Sequence, residues 1–189
     1  NKKLTFAPSQ NLATPDNYKI GPGDEIIIDI WGANQNTIRQ NISPDGYINI
    51  ENVGLVYLNG MTIQKAEKYL RQELNQIYSG MIGERPTSEI KVTLGQIRTI
   101  QIHVMGEVVT PGTYALSSLS TIFHALYKAG GVNKLGSLRN IQLTRNGIRI
   151  ATVDVYDFIL KGKTASDIRL QEGDVIIVPP YEMLVEVQG

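Results

Sequence analysis

The chain contains two histidines, and their neighbours decide what chemistry they could do. His103 falls on the polar side of the alternating stretch Ile100–Val104, and His124 sits inside a short segment with an apolar stripe. Neither has an HxxxH, HxH or carboxylate-spaced partner, so no metal site or general base is signalled. Cysteine is absent, which removes thiolate nucleophiles, cysteine zinc sites and disulfides. Carboxylates gather at Asp24, Glu25 and Asp29, with Asp45 and Asp174 in turns. A glycosidase needs two carboxyl groups about 5–10 Å apart across a cleft. Turn aspartates that bond their own backbone explain Asp24, Asp45 and Asp174 more simply. Ser117, Ser118 and Ser120 lack a G-x-S-x-G elbow. Gly21-Pro22-Gly23 has neither G-x-G-x-x-G spacing nor a G-K-[ST] sequel, so no nucleotide cofactor is expected. No catalytic residue, metal ligand or cofactor emerges. Trp31 and the nine tyrosines could stack on sugar rings, offering apolar faces with polar tips. The simpler expectation for Trp31, at the end of an apolar strand, is packing in a core or a subunit contact.

Composition narrows the class further. The 18 Lys and Arg balance the 18 Asp and Glu and are scattered along the chain. A nucleic-acid partner is therefore not expected, since it would call for a basic stripe. The 189 residues are 42% hydrophobic, enough for one domain or two small ones with real cores. Apolar runs such as Ile26–Ile28 and Val175–Val178 are far too short to span a bilayer.

The elements that must carry these residues follow from periodicity and turn chemistry. Residues 1–17 read as an extended lead-in. Gly21-Pro22-Gly23-Asp24 is a tight turn feeding the strand Glu25–Trp31. Thr37–Ser43 and Tyr47–Glu51 flank Pro44-Asp45-Gly46 and read as a hairpin. Ile63, Ala66, Leu70, Leu74 and Ile77 define a helix over Thr62–Tyr78, with Thr62 as N-cap and Gly80 as a stop signal. A strand Glu89–Leu94 follows, and a domain boundary falls near Gly95–Thr99. The second half gives a strand Ile100–Val104 and a Pro111-Gly112 turn. A helix Thr121–Ala129 comes next, with Ile122, Ala125, Leu126 and Ala129 as its stripe and Gly130-Gly131 at its end. Asn146-Gly147 between two alternating runs is a strong hairpin signal, and Asp154 caps a brief helix through Leu160. Gly173–Val178 (GDVIIV) then echoes Gly23–Ile28 (GDEIII). Each half is α+β.

The ordered series of turns carries a resemblance. Tyr18-Lys-Ile-Gly-Pro-Gly-Asp24, a strand ending in Trp31, Ser43-Pro-Asp-Gly46 and Gly60-Met-Thr62 resemble the polysaccharide biosynthesis/export domain. Arg98, Gly106-Glu-Val108 with Glu107, Pro111-Gly-Thr-Tyr114, Thr121 with Ala129-Gly-Gly131, and Leu170 with Gly173-Asp174 resemble the soluble-ligand-binding β-grasp (SLBB) domain. The resemblance implies a small α/β export domain over 18–97 and a β-grasp SLBB domain over 98–181. Residues 182–189 are expected to begin a second SLBB repeat, because Met183–Gly189 (MLVEVQG) repeats the pattern of Ile100–Gly106 (IQIHVMG).

Such proteins are periplasmic and are tied to the bacterial outer membrane by a lipidated N-terminal cysteine that these residues do not include. They form homo-oligomeric rings that pass polysaccharide outward, and they meet an inner-membrane polysaccharide copolymerase. By that likeness the family-motif residues build scaffold and do no bond chemistry: Gly21, Pro22, Gly23, Asp24, Asp45, Gly46, Gly60, Thr62, Gly106, Glu107, Pro111, Gly112, Gly130, Gly131, Gly173 and Asp174. Gly23, Gly46, Gly112 and Gly131 are read as places where backbone conformation excludes a side chain. The alternative reading is a periplasmic module that binds a soluble ligand or cell-wall glycan without transporting it.

Overall fold

The computed structural model describes residues 14–78, 80–161 and 168–181. They fall into two compact units that divide between Arg98 and Thr99. The suggested repeat strand Met183–Gly189 lies outside the described residues.

In the first unit, β1 (Glu25–Gly32) is the middle strand of a three-stranded antiparallel sheet, between β2 (Asn36–Asn41) and β5 (Ser88–Leu94). Period-two alternation puts Ile26, Ile28 and Ile30 of β1 on the buried face with Ile90 and Val92 of β5. The helix α1 (Ile63–Leu74) closes that face with Ala66, Leu70 and Leu74. Its N-cap is Thr62, whose hydroxyl accepts the Lys65 N–H at 3.4 Å. The helix is shorter than its apolar stripe. Asn75 caps it and accepts the N–H of buried Met81 through its side chain, at 3.1 Å. The chain is thereby turned away, and Ile77 stays 37% exposed.

The hairpin expected around Pro44-Asp45-Gly46 is not a strand pair. Ser43 and Tyr47 close the turn with one backbone bond of 2.8 Å. However, β2 pairs with β1, and β3 (Tyr47–Ile50) pairs with β4 (Gly54–Tyr57). The N–H of Ile42 goes to the carbonyl of Asp24 at 2.8 Å, so the two strands separate immediately beyond the turn. The motif is a corner between two small sheets.

In the second unit, β6 (Thr99–Gly106), β7 (Gly112–Ser117), β8 (Ile141–Arg145), β9 (Ile148–Val153) and β10 (Val175–Val178) form one sheet. Its order is β7-β6-β10-β8-β9, with β6 and β10 parallel and the other neighbours antiparallel. This is the β-grasp order. Helix α2 (Ile122–Lys128) buries Ile122, Ala125 and Leu126 against the sheet residues Ile100, Ile102, Val104 and Ile176. The short helix α3 (Val155–Lys161) follows β9, and Asp154 accepts the Tyr156 N–H at 2.8 Å at its start. Asn146 and Gly147 both take positive φ, 50° and 77°, which matches the twist of the β8–β9 hairpin.

Candidate functional site

The two Gly-Asp turns are corners of the same design. Asp24 and Asp174 are both fully buried. In each, the aspartate N–H bonds the carbonyl three residues back, Gly21 or Gln171, at 3.1 Å. Its carboxylate accepts the N–H of that same residue, at 2.9 Å from Gly21 and 2.8 Å from Gln171. Gly23 and Gly173 occupy the third turn position with φ of 90° and 76°, a conformation that costs a residue with Cβ about 1–2 kcal/mol. The segment before each turn bridges the N-cap of its unit's main helix, Lys19 with Thr62 and Arg169 with Thr121. Turn, following strand and helix start are thus locked together in both units.

A guanidinium braces each carboxylate. Arg98 Nη1 donates to Asp24 Oδ2 at 2.7 Å and its backbone N–H to Oδ1 at 2.9 Å. Tyr18 donates its hydroxyl to both oxygens, at 2.8 and 2.9 Å. Arg145 instead clamps Asp174 as a two-pronged fork, Nε to Oδ1 and Nη2 to Oδ2, each at 2.8 Å. The fork, together with the negative charge of Asp174, raises the Arg145 pKa above its ordinary value against the opposing effect of burial. Both carboxylates are buried and accept hydrogen bonds on both oxygens. The pairs are structural braces. Arg98, grouped by motif with the second half, makes these contacts inside the first unit.

Several of the remaining motif residues turn the chain or bond its backbone. Gly46 turns the chain at φ 90° and accepts the Leu58 N–H at 3.0 Å, beside exposed Asp45. The N–H of Gly60 bonds the Ile20 carbonyl at 2.8 Å. Gly106 lies against β10 so closely that a Cβ would sit 2.1 Å from the Val178 carbonyl oxygen. Glu107 accepts the Asn133 side-chain amide at 2.8 Å. Gly130 and Gly131 end α2, their N–H groups bonding Tyr127 and Leu126 carbonyls. Pro111 is exposed. Gly112 breaks the expected pattern: its φ is outside the left-handed region and open space surrounds the position of a Cβ. Backbone conformation there does not demand glycine.

Most groups considered for chemistry have structural partners, although the buried Ser120 hydroxyl has none among the described residues. His103 Nδ1 lies 2.9 Å from the hydroxyl of Thr113, its cross-strand neighbour. His124 Nδ1 accepts the Thr121 backbone N–H at 3.1 Å, at the start of α2. Asp29 accepts the Thr37 hydroxyl at 2.7 Å, and Glu25 the Gln96 N–H at 3.0 Å. Ser117 accepts the Leu119 N–H at 3.2 Å, while Ser118 and Ser120 are buried. No group of three His, Asp or Glu side chains among the described residues could hold a metal ion.

Aromatic surface is more available than the sequence suggested. Trp31 is 45% exposed rather than buried in the core, because it falls in the outward register of β1, opposite Glu89 of β5. Tyr47 and Tyr57 pair across β3 and β4 with ring centres 5.0 Å apart, edge to face. Both are exposed, as is Leu55 on the same hairpin. Arg145 was the residue that sequence reasoning missed; its only signal was a charged residue ending an alternating strand.

An α+β unit with a braced Gly-Asp turn is followed by a β-grasp unit with a second one. The chain belongs to the polysaccharide biosynthesis/export family: residues 12–94 match the polysaccharide biosynthesis/export protein family, and residues 101–178 match the SLBB domain. Among curated relatives, it is 30% identical to the polysialic acid transport protein KpsD of Escherichia coli, over 93% of this chain and 30% of that one. It is 24% identical to the EPS I polysaccharide export outer membrane protein EpsA of Ralstonia solanacearum, over 92% of this chain and 50% of that one. The exopolysaccharide production protein ExoF of Rhizobium meliloti is 22% identical over 68% of this chain. The chain thus spans half or less of the length of these relatives. No helix among the described residues is long and apolar enough to cross a membrane.

Proposed function

We propose that this chain is the periplasmic part of an outer-membrane translocon that exports capsular or extracellular polysaccharide. The observation that carries this reading is the pair of domains in order, matched over residues 12–94 and 101–178, together with relatives named for polysaccharide transport and export. In this reading the export domain covers residues 18–97 and the SLBB domain 98–181. The turn motifs serve as scaffold, and no residue does bond chemistry. The full-length protein assembles as a homo-oligomeric ring anchored by lipid to the outer membrane, and it receives its cargo from an inner-membrane copolymerase.

A conduit must hold a moving polymer weakly at many places, since one tight site would arrest it. Shallow polar surface and half-exposed aromatic rings such as Trp31, Tyr47 and Tyr57 suit that demand. Deleting the full-length gene and assaying surface polysaccharide tests the proposal. Loss of surface polymer with polymer retained inside the cell is expected; normal surface polymer would refute it.

A further inference from the structure

The outer face of the β-grasp sheet carries a feature that scaffold and turn motifs leave unused. Gln142 of β8 faces Thr152 of β9 across the ladder, on the side opposite buried Ile141, Leu143 and Val153. Together they floor an open groove of about 680 Å³, within the size range of small-molecule sites. Arg139 and Arg149 line it, and Tyr181 stands at one side. The Tyr181 wall is fixed by backbone bonds: its N–H to the Leu135 carbonyl at 2.7 Å, and the Ser137 N–H to the Pro179 carbonyl at 2.8 Å.

Two arginines without a carboxylate partner among the described residues line the groove. Arg71, Arg98 and Arg145 each have a carboxylate partner. Among the described residues Arg139 and Arg149 have none, and both are exposed. Arg139 is nonetheless positioned, its guanidinium 5.3 Å from the centre of the Tyr156 ring. Two guanidinium forks, an amide, a hydroxyl and a tyrosine ring are the donors and the apolar face that a charged pyranose requires. Carboxylate geometry suits the forks through two parallel N–H···O bonds.

We propose that this groove binds a carboxylate-bearing sugar segment of an acidic polysaccharide. The inference deepens the export reading, on which it rests for the role of that glycan as cargo. Contact is weak, with Kd on the order of 1 mM expected for a solvent-open site with two charge pairs.

The probe is tetragalacturonic acid, titrated into the 15N-labelled chain with amide shifts followed by NMR. Shifts centred on Gln142, Arg149, Thr152 and Tyr181 are expected, with maltotetraose binding at least about tenfold more weakly. The double variant Arg139→Ala/Arg149→Ala should lose binding by about tenfold or more, while amide positions outside the groove stay unchanged. Shifts centred elsewhere, or equal affinity for maltotetraose, overturn the proposal. So does equal competition by inorganic phosphate or by a thymidine oligonucleotide, either of which would mark a nonspecific cationic patch. The deletion assay separates the two claims. A groove that ignores the acid sugar leaves the export reading standing, and intact surface polymer after deletion refutes export whatever the groove binds.

Discussion

Asp24 receives four donor groups, spread over the Tyr18 hydroxyl, the Gly21 N–H and both the backbone and guanidinium of Arg98. Asp174 receives three among the described residues, and two of them belong to the single side chain of Arg145. The turns are alike because a Gly-Asp turn is encoded by adjacent residues. The braces differ because each fold delivers its arginine from a different direction. Arg98 stands 74 positions beyond Asp24 and ties the end of the first unit to its beginning, whereas Arg145 reaches 29 positions along from the neighbouring strand. A distributed brace tolerates loss of one member; a concentrated one does not.

Replacing Arg145 with alanine is the strongest test of that difference. It strips Asp174 of two donors and leaves a buried charge with one, a situation that costs about 3–5 kcal/mol. Arg98→Ala leaves Asp24 with three donors, so the cost falls to about 1.5–3 kcal/mol, the worth of one charged hydrogen bond. Urea unfolding resolves the two units. Trp31 is the chain's only tryptophan and its fluorescence follows the first unit, while the methyl signals of Ile102 and Ile176 follow the second core. Equal destabilisation by the two substitutions would end the distinction between the braces.

These corners also show where sequence is legible. Turn type, helix caps and the Asn146-Gly147 hairpin depend on neighbours within a few residues, so the residues themselves declare them. Partners at distances of 29 or 74 residues leave no local signal, and nothing near Asp174 announced Arg145. The Pro44-Asp45-Gly46 corner fails for the same reason. Its turn chemistry is local, but which strand β2 joins is settled by competition with β1. Trp31 illustrates a register effect: an apolar strand buries alternate residues, and the large ring happens to fall on the open side.

Approach distance gives a sharper contrast between the corners. A Cβ on Gly21 would lie 2.6 Å from Arg98 Nη1, while the equivalent position in the second unit is occupied by Gln171, with Arg145 arriving from elsewhere. Gly21→Ala should therefore destabilise the first unit by about 1 kcal/mol through displaced guanidinium bonds. In an Arg98→Ala background most of that cost should vanish, a coupling that a double-mutant cycle measures directly. Gln171→Ala should lie within about 0.5 kcal/mol of neutral. Additive effects of the Gly21 and Arg98 substitutions would show that the glycine serves the turn and not the brace.

The shared part of the design is tested by the turn glycines. Gly23→Ala and Gly173→Ala should each cost about 1–2 kcal/mol, because both positions need positive φ. Gly112 supplies the control and the smallest effect. It pairs with Val104 in the β6–β7 ladder, lies outside the left-handed region and has room for a methyl group. Alanine there reduces the freedom of the unfolded chain without straining the folded one, so Gly112→Ala should stabilise the second unit by about 0.4–1 kcal/mol. The shift would be read as a higher urea midpoint with an unchanged slope, since no new surface is exposed. A lower midpoint would mean that the Pro111-Gly112 turn uses a conformation closed to alanine, which would place Gly112 back among the positions where the backbone demands glycine.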